Sequence, residues 1–171
     1  MILKANNRNS KKGGFVGYLS RQANVDLLVF LQNPWTKKRV FLGKPWDDEQ
    51  WEKALWESRS GIRLAQVLPK RLTVAVRNAN PIPTRHVTGI RYPDPVYVRE
   101  QIGMFSPRLL LLCGVEARKI VMMGFNIPFI TMPHPAFRLL SGHALDAIKA
   151  QIQSRFKDLY PELAEKPWIG E

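Results

Sequence analysis

The chain has one cysteine, Cys113, in 171 residues. A lone thiol rules out an internal disulfide, a multi-cysteine zinc site and a protein-held iron-sulfur cluster. Acids are scarce too. Asp and Glu number 14 against 26 Lys and Arg, for a formal net charge of +12 at pH 7 and an isoelectric point near 10.2. That imbalance points to a polyanionic partner, nucleic acid first. Long apolar runs are missing: none reaches the ~18 to 20 residues of a membrane-spanning helix. Met1 to Asn24 lacks the apolar centre of a secretory signal, so the expectation is an intracellular chain with no membrane partner. Hydrophobic residues nonetheless make up 45% and charged residues 23%, a composition that buries a core. The length suits one compact domain.

Residues 1–24 carry Lys4, Arg8, Lys11, Lys12 and Arg21 without a single acid. They read as a basic, flexible arm, either laid on phosphates, with Lys11 and Lys12 as contacts, or simply solvated. Residues 25–171 read as a single domain. Four nearly continuous apolar runs of strand length follow the arm: Val25 to Leu31, Leu72 to Val76, Leu109 to Cys113 and Pro128 to Met132. Such runs suit strands covered on both faces, as in a parallel sheet. Helical patterns separate them at Asp47 to Ser58, Pro95 to Phe105 and Glu116 to Met122, with a last helix over Gly142 to Leu159. In that last helix Leu145, Ile148, Ile152 and Phe156 recur at spacings of three and four. Alternating strands and helices predict an α/β fold, a three-layer α/β/α sandwich around a mainly parallel four-stranded sheet.

In an open parallel sheet, ligands bind outside the carboxyl ends of the strands. The four runs are followed by Gln32-Asn33-Pro34-Trp35, by Arg77-Asn78-Ala79-Asn80-Pro81, by Gly114, and by Pro133-His134-Pro135. Three of these ends deliver amide or imidazole groups stiffened by proline. Asn33 can orient a water or bond its own turn. Asn78, with Asn80 as its competitor, can read the edge of a pyrimidine. His134 can donate to an oxygen that gains negative charge, or can be a loop histidine bonded to backbone. Trp46, after Gly43-Lys44-Pro45, can stack on an extruded base or fill core. Arg138 and Leu139 pair a phosphate-binding charge with an apolar wedge.

In this order the segments resemble the uracil-DNA glycosylase superfamily, over about Val25 to Gln153. Leu31-Gln32-Asn33-Pro34-Trp35-Thr36 is similar to its first motif, GQDPYH in the main branch and GINPG in the mismatch-specific branch. Val74 to Asn78 resembles the strand ending in the base-pairing asparagine, and Phe105 to Ala117 the KPxxVVxLGxxA step. His134-Pro135-Ala136-Phe137-Arg138-Leu139-Leu140 resembles the second motif, HPSPLS or HPAxLLR, and Gly43 to Trp46 the GxPF segment.

The resemblance implies a uracil-DNA glycosylase-like fold and a monofunctional DNA N-glycosylase that flips a damaged, mismatched or modified pyrimidine out of single- or double-stranded DNA. By that likeness Asn33 and His134 are catalytic, and Gln32, Trp35, Trp46 and Asn78 hold the base. Arg138, Leu139, Lys11 and Lys12 contact DNA. No metal or organic cofactor is implied, and a monomer is expected. Leu31 stands where those branches carry glycine, and Asn33 where the main branch carries aspartate. The asparagine, shared with the mismatch-specific branch, implies a slower or more specialised enzyme, while Leu31, Trp35 filling space and the high positive charge favour the alternative of a catalytically inactive DNA-binding or protein-interaction module. A small hydrolase or transferase of free nucleotides would need a phosphate-cradling glycine loop, and the sequence has none.

Overall fold

A computed structural model of the chain describes residues 23–35, 42–45, 47–69, 72–85 and 89–161. Four strands, β1 (Leu27–Leu31), β2 (Val74–Asn78), β3 (Leu109–Cys113) and β4 (Phe129–Met132), form one sheet in the order β2-β1-β3-β4. All three pairings are parallel, so the expected mainly parallel sheet is wholly parallel among the described residues. Parallel strands cannot be joined by tight hairpins, and each return runs through helix. These are α1 (Asp48–Glu57), α2 (Arg59–Val67), α3 (Pro95–Phe105), α4 (Val115–Arg118) with a 3-10 turn over Lys119–Met123, and after β4 comes α5 (Gly142–Leu159).

The strands alternate their side chains between two apolar clusters. Leu27, Val29, Leu31, Val76 and Leu111 face α1, α2 and α5, where Trp51, Leu55, Leu64, Ile152 and Phe156 cover them. Leu28, Phe30, Ala75 and Leu112 face α3, α4 and the 3-10 turn, against Val98, Phe105, Ala117 and Ile120. The result is three layers, helix, sheet and helix. The periodic residues expected in the last helix, Leu145, Ile148, Ile152 and Phe156, are its buried ones.

Several boundaries differ from the sequence expectation. β1 starts at Leu27 rather than Val25, because Val25 N–H turns aside to donate to the Phe105 carbonyl. β2 runs two residues later than expected, since its register pairs Leu31 with Asn78. Asn78 is therefore the last residue of the strand and not a residue beyond it. The helix expected over Glu116 to Met122 is one α turn that tightens into 3-10 geometry. β4 lies at the sheet edge, and its Phe129 is exposed rather than covered on both faces.

Helix α2 was not expected at all. Ser58 closes α1 and opens α2 as its N-cap, the hydroxyl accepting from Gly61 N–H at 3.0 Å. Two helices meeting at one residue leave no proline or loop between them to mark the break. Gly61 is required there, because a Cβ at that position would run into the Leu55 carbonyl of the preceding helix. At the other end of α1, Asp47 and Gln50 form a reciprocal capping box. We expect Gly61→Ala to cost about 1–3 kcal/mol through overpacking and Asp47→Ala about 1 kcal/mol through the lost cap. Urea denaturation with an unchanged slope would read both, and an unperturbed Gly61→Ala midpoint would contradict the close helix contact.

Candidate functional site

The chain leaves β1 toward β2 through the layer holding α1 and α2, and leaves β3 toward β4 through the layer holding α4. β1 and β3 are neighbours whose connections depart in opposite directions, a topological switch point where a crevice opens. Gly114, the first residue after β3, has φ +92°, a left-handed conformation that side chains disfavour. A Cβ on it would stand 2.9 Å from Nε2 of Gln32 and 3.2 Å from Cβ of His134. Glycine is what lets the exits of β1 and β4 close over the end of β3.

A cavity of about 230 Å³ lies at this end of the sheet. That is below the ~300 Å³ at which drug-sized ligands begin to fit, and it suits one small ring. Its walls include Gln32, Asn33, Trp35, Asn78 and His134 from the strand exits, and Trp51, Leu55 and Ser58 from α1 and its cap. The structure therefore brings together five of the residues expected to form the site. Trp46, Lys11 and Lys12 lie outside the described residues.

The polar groups in the cavity are not equivalent. Asn78 is 5% exposed, and its side-chain amide has no hydrogen-bond partner among the described residues. Buried amides are normally paired, which sets this one apart in the cavity wall. Asn80 is not its equal: its amide accepts from Ile82 N–H at 3.0 Å within the turn and donates to the Tyr92 carbonyl at 2.9 Å, ahead of α3. Between the two asparagines of this strand exit, Asn78 is the one that faces the cavity.

Asn33 is also heavily engaged. Its Nδ2 donates to the Pro34 carbonyl at 3.1 Å and to the Thr84 hydroxyl at 3.0 Å, while its Oδ1 accepts from Arg91 N–H at 3.0 Å. Thr84 N–H donates in turn to the Pro34 carbonyl, so the amide clips the β1 exit to the segment leading into α3. One lone pair on Oδ1 remains for a further donor.

His134 is partly buried, and that burial pushes its imidazole down to about 4. It is neutral at pH 7. Its Nδ1 accepts from Ala136 N–H at 3.2 Å, which assigns the single proton to Nε2. The ring offers the cavity a neutral N–H donor.

The segment after His134 is a braced turn. Phe137 N–H donates to the His134 carbonyl, and Leu140 N–H to the Phe137 carbonyl. Nη1 of Arg63, on α2, donates to the carbonyls of Pro135 and Phe137 at 3.2 and 2.6 Å. Arg63 went unnoticed in the sequence because the helix that carries it did; an arginine one turn past a serine N-cap was the only local sign. On this turn Leu139 is 82% exposed and Phe137 50%, with Arg138 exposed between them.

Among the described residues no three His, Cys, Asp or Glu side chains converge as a metal site. No helix in those residues is long and apolar enough to cross a membrane. Cys113, at the end of β3, is fully buried, and desolvation pushes its thiol up, leaving it an inert part of the core. Compared with known proteins, the chain matches no family model and no curated sequence.

Two measurements check this geometry. An NMR titration should place His134 near pH 4 rather than at the ordinary 6.5. Between those values the unfolded chain binds a proton that the folded chain refuses, so stability falls as pH drops from 6.5 toward 4. His134→Gln should remove that part of the acid sensitivity, and a midpoint near 6.5 would contradict the burial. Gly114→Ala should cost about 1–3 kcal/mol through backbone strain and displace the His134 ring signals, whereas a silent substitution would contradict the close approach at the switch point.

Proposed function

We propose that the protein is a DNA N-glycosylase on a uracil-DNA glycosylase-like α/β/α scaffold, taking a damaged, mismatched or modified pyrimidine into the cavity and hydrolysing its glycosidic bond. The observation that carries this reading is the unpartnered amide of Asn78 in the same small cavity as the neutral Nε2–H donor of His134. An amide presents a donor and an acceptor to the edge of a pyrimidine. As the bond from the sugar to the base nitrogen breaks, its electron pair moves onto the base. A fixed donor such as His134 Nε2–H stabilises the charge that develops on a base oxygen. A neutral donor does this without carrying its own charge into a half-closed site.

Among the described residues the cavity wall has no carboxylate. Water attack on the oxocarbenium-like sugar would therefore rest on orientation, with the remaining lone pair of Asn33 Oδ1 as the positioning acceptor. The water then loses its proton to solvent. Gln32 shapes the pocket beside Gly114. Arg138 contacts the backbone and Leu139 enters the vacated stack. In this reading Trp46 stacks on the base, and Lys11 and Lys12 add salt-dependent affinity.

One observation favours a second reading, in which the same pocket recognises a base without cleaving it. Asn33 already makes three bonds to Pro34, Thr84 and Arg91, as a structural clip would.

An abasic-site assay separates the two. Oligonucleotides carrying uracil, mismatched thymine or modified pyrimidines are incubated with the protein and treated with hot alkali. We expect strand cleavage that falls by about 100-fold or more in His134→Ala and is lost in Asn78→Ala, with DNA affinity nearly unchanged. Intact strands across the panel, with binding retained, would favour the recognition module.

A further inference from the structure

What His134 can offer the cavity depends on which ring nitrogen carries the proton, and the bond that decides this comes from its own turn. Ala136 N–H donates to Nδ1 at 3.2 Å, which leaves the proton on Nε2. That N–H belongs to the peptide unit joining Pro135 to Ala136. The carbonyl of the same unit accepts from Nη1 of Arg63 at 3.2 Å. A trans peptide is planar, with its C=O and N–H pointing in opposite directions. Arg63 therefore stands at one end of a chain that runs from guanidinium to carbonyl and from amide to imidazole, and the Nε2–H of His134 stands at the other. Holding the oxygen holds the plane, and the plane aims the N–H at Nδ1. A cation on the oxygen also polarises the peptide and makes its N–H a better donor, since linked hydrogen bonds strengthen one another.

The second bond of Arg63 closes the turn from the other side. The same Nη1 donates to the Phe137 carbonyl at 2.6 Å, and Phe137 N–H donates to the His134 carbonyl at 2.8 Å. Ring and backbone of His134 are thus both tied to a single guanidinium nitrogen. Helix α2 is able to hold that nitrogen still: Ser58 caps it, Gly61 lies against the Leu55 carbonyl, and Leu64 and Val67 are buried. Beyond the turn, Leu140 is buried and Ser141 caps α5. Ser58 and Ser60, at the start of α2, line the cavity, so one helix supplies part of the wall and orients a donor on another part.

We propose that Arg63 is a positioning residue that holds the imidazole of His134 in its Nε2–H form through the Pro135–Ala136 peptide. It acts on the ring and touches no substrate. The inference rests on the reading of His134 as a donor in the pocket, yet its test does not need catalysis.

The test is the long-range proton–nitrogen NMR spectrum of the imidazoles at pH 7, in the full chain labelled with 15N-histidine. His134→Gln identifies the His134 signals against those of His86 and His143. The parent should show the Nε2–H form. Arg63→Met, which keeps an unbranched apolar stem without donors, should shift the tautomer ratio about fivefold toward Nδ1–H, the effect of losing one ordinary hydrogen bond. Arg63→Lys should restore the parental ratio, because an ammonium still donates to a carbonyl. Arg59→Ala removes the same charge from the exposed first position of α2 and should leave the ratio unchanged. The indole N–H signal of Trp51, bonded to the Val76 carbonyl, reports that each variant has folded, and Arg63→Gln, shorter and uncharged, replaces Arg63→Met if the latter has not. A parental ratio in the folded variant, or an equal shift in Arg59→Ala, overturns the inference. In the abasic-site assay Arg63→Met should lower kcat by up to about 100-fold and leave KM nearly unchanged, because the donor matters most as charge develops on the base. A parental ratio beside intact excision removes this inference and leaves the glycosylase reading standing. A shifted ratio in a protein that excises no base does the reverse.

Discussion

Parallel pairing of β1 on both of its edges is the constraint from which the site follows. Leu27 to Leu31 pair with β2 on one side and Leu27 to Phe30 with β3 on the other, and parallel neighbours must all end at the same end of the sheet. The exits of four strands, separated by up to a hundred residues of sequence, therefore converge. Because the chain moves outward from β1 to β2 and later outward from β3 to β4, the convergence opens between β1 and β3. Gly114 lets it tighten until Gln32 and His134 almost touch the β3 backbone. A side chain at that position would hold the walls apart.

The end of β2 shows how the pleat divides labour between the two faces. Arg77 turns toward α3, where its guanidinium donates to the Val76 carbonyl at 2.9 Å and the Gln101 side chain at 3.1 Å and lies 4.7 Å over the Phe105 ring. A buried guanidinium is tolerated only when its donors are used, and these contacts also lock α3 against the strand. Asn78, one residue later, faces the opposite layer with its amide unused. On that layer Trp51 donates its indole N–H to the Val76 carbonyl at 3.0 Å, fixing α1 over the same strand end. The unused amide is thus held still by bonds its neighbours make, which is the preorganisation a recognition pocket needs.

Satisfaction of polar groups also ranks the residues of the site. Asn33, Asn78 and Asn80 are chemically identical, yet one clips two segments together, one waits in the cavity and one closes a turn. His134 differs again: the Ala136 N–H and partial burial set both its charge and its tautomer. What each side chain can still offer the cavity is set by what it has left over after folding.

The sequence by itself determined the layers. Four apolar runs alternating with helical periodicity are enough to require a covered parallel sheet, and the buried stripe of α5 was readable residue by residue. It also located the strand exits, because Gln32 and Asn33 follow the first run and His134 the last, with Asn33 and His134 beside prolines. Strand order, the two-residue shift that makes Asn78 the end of β2, and helix α2 depended on contacts between segments far apart in the chain, which no local pattern encodes. The same holds for which asparagine stays unpaired, for the proton on Nε2 of His134 and for the grip of Arg63 on the Phe137 turn. Local chemistry fixes what a segment can become; hydrogen-bond satisfaction is a property of neighbours, and only the folded chain supplies them.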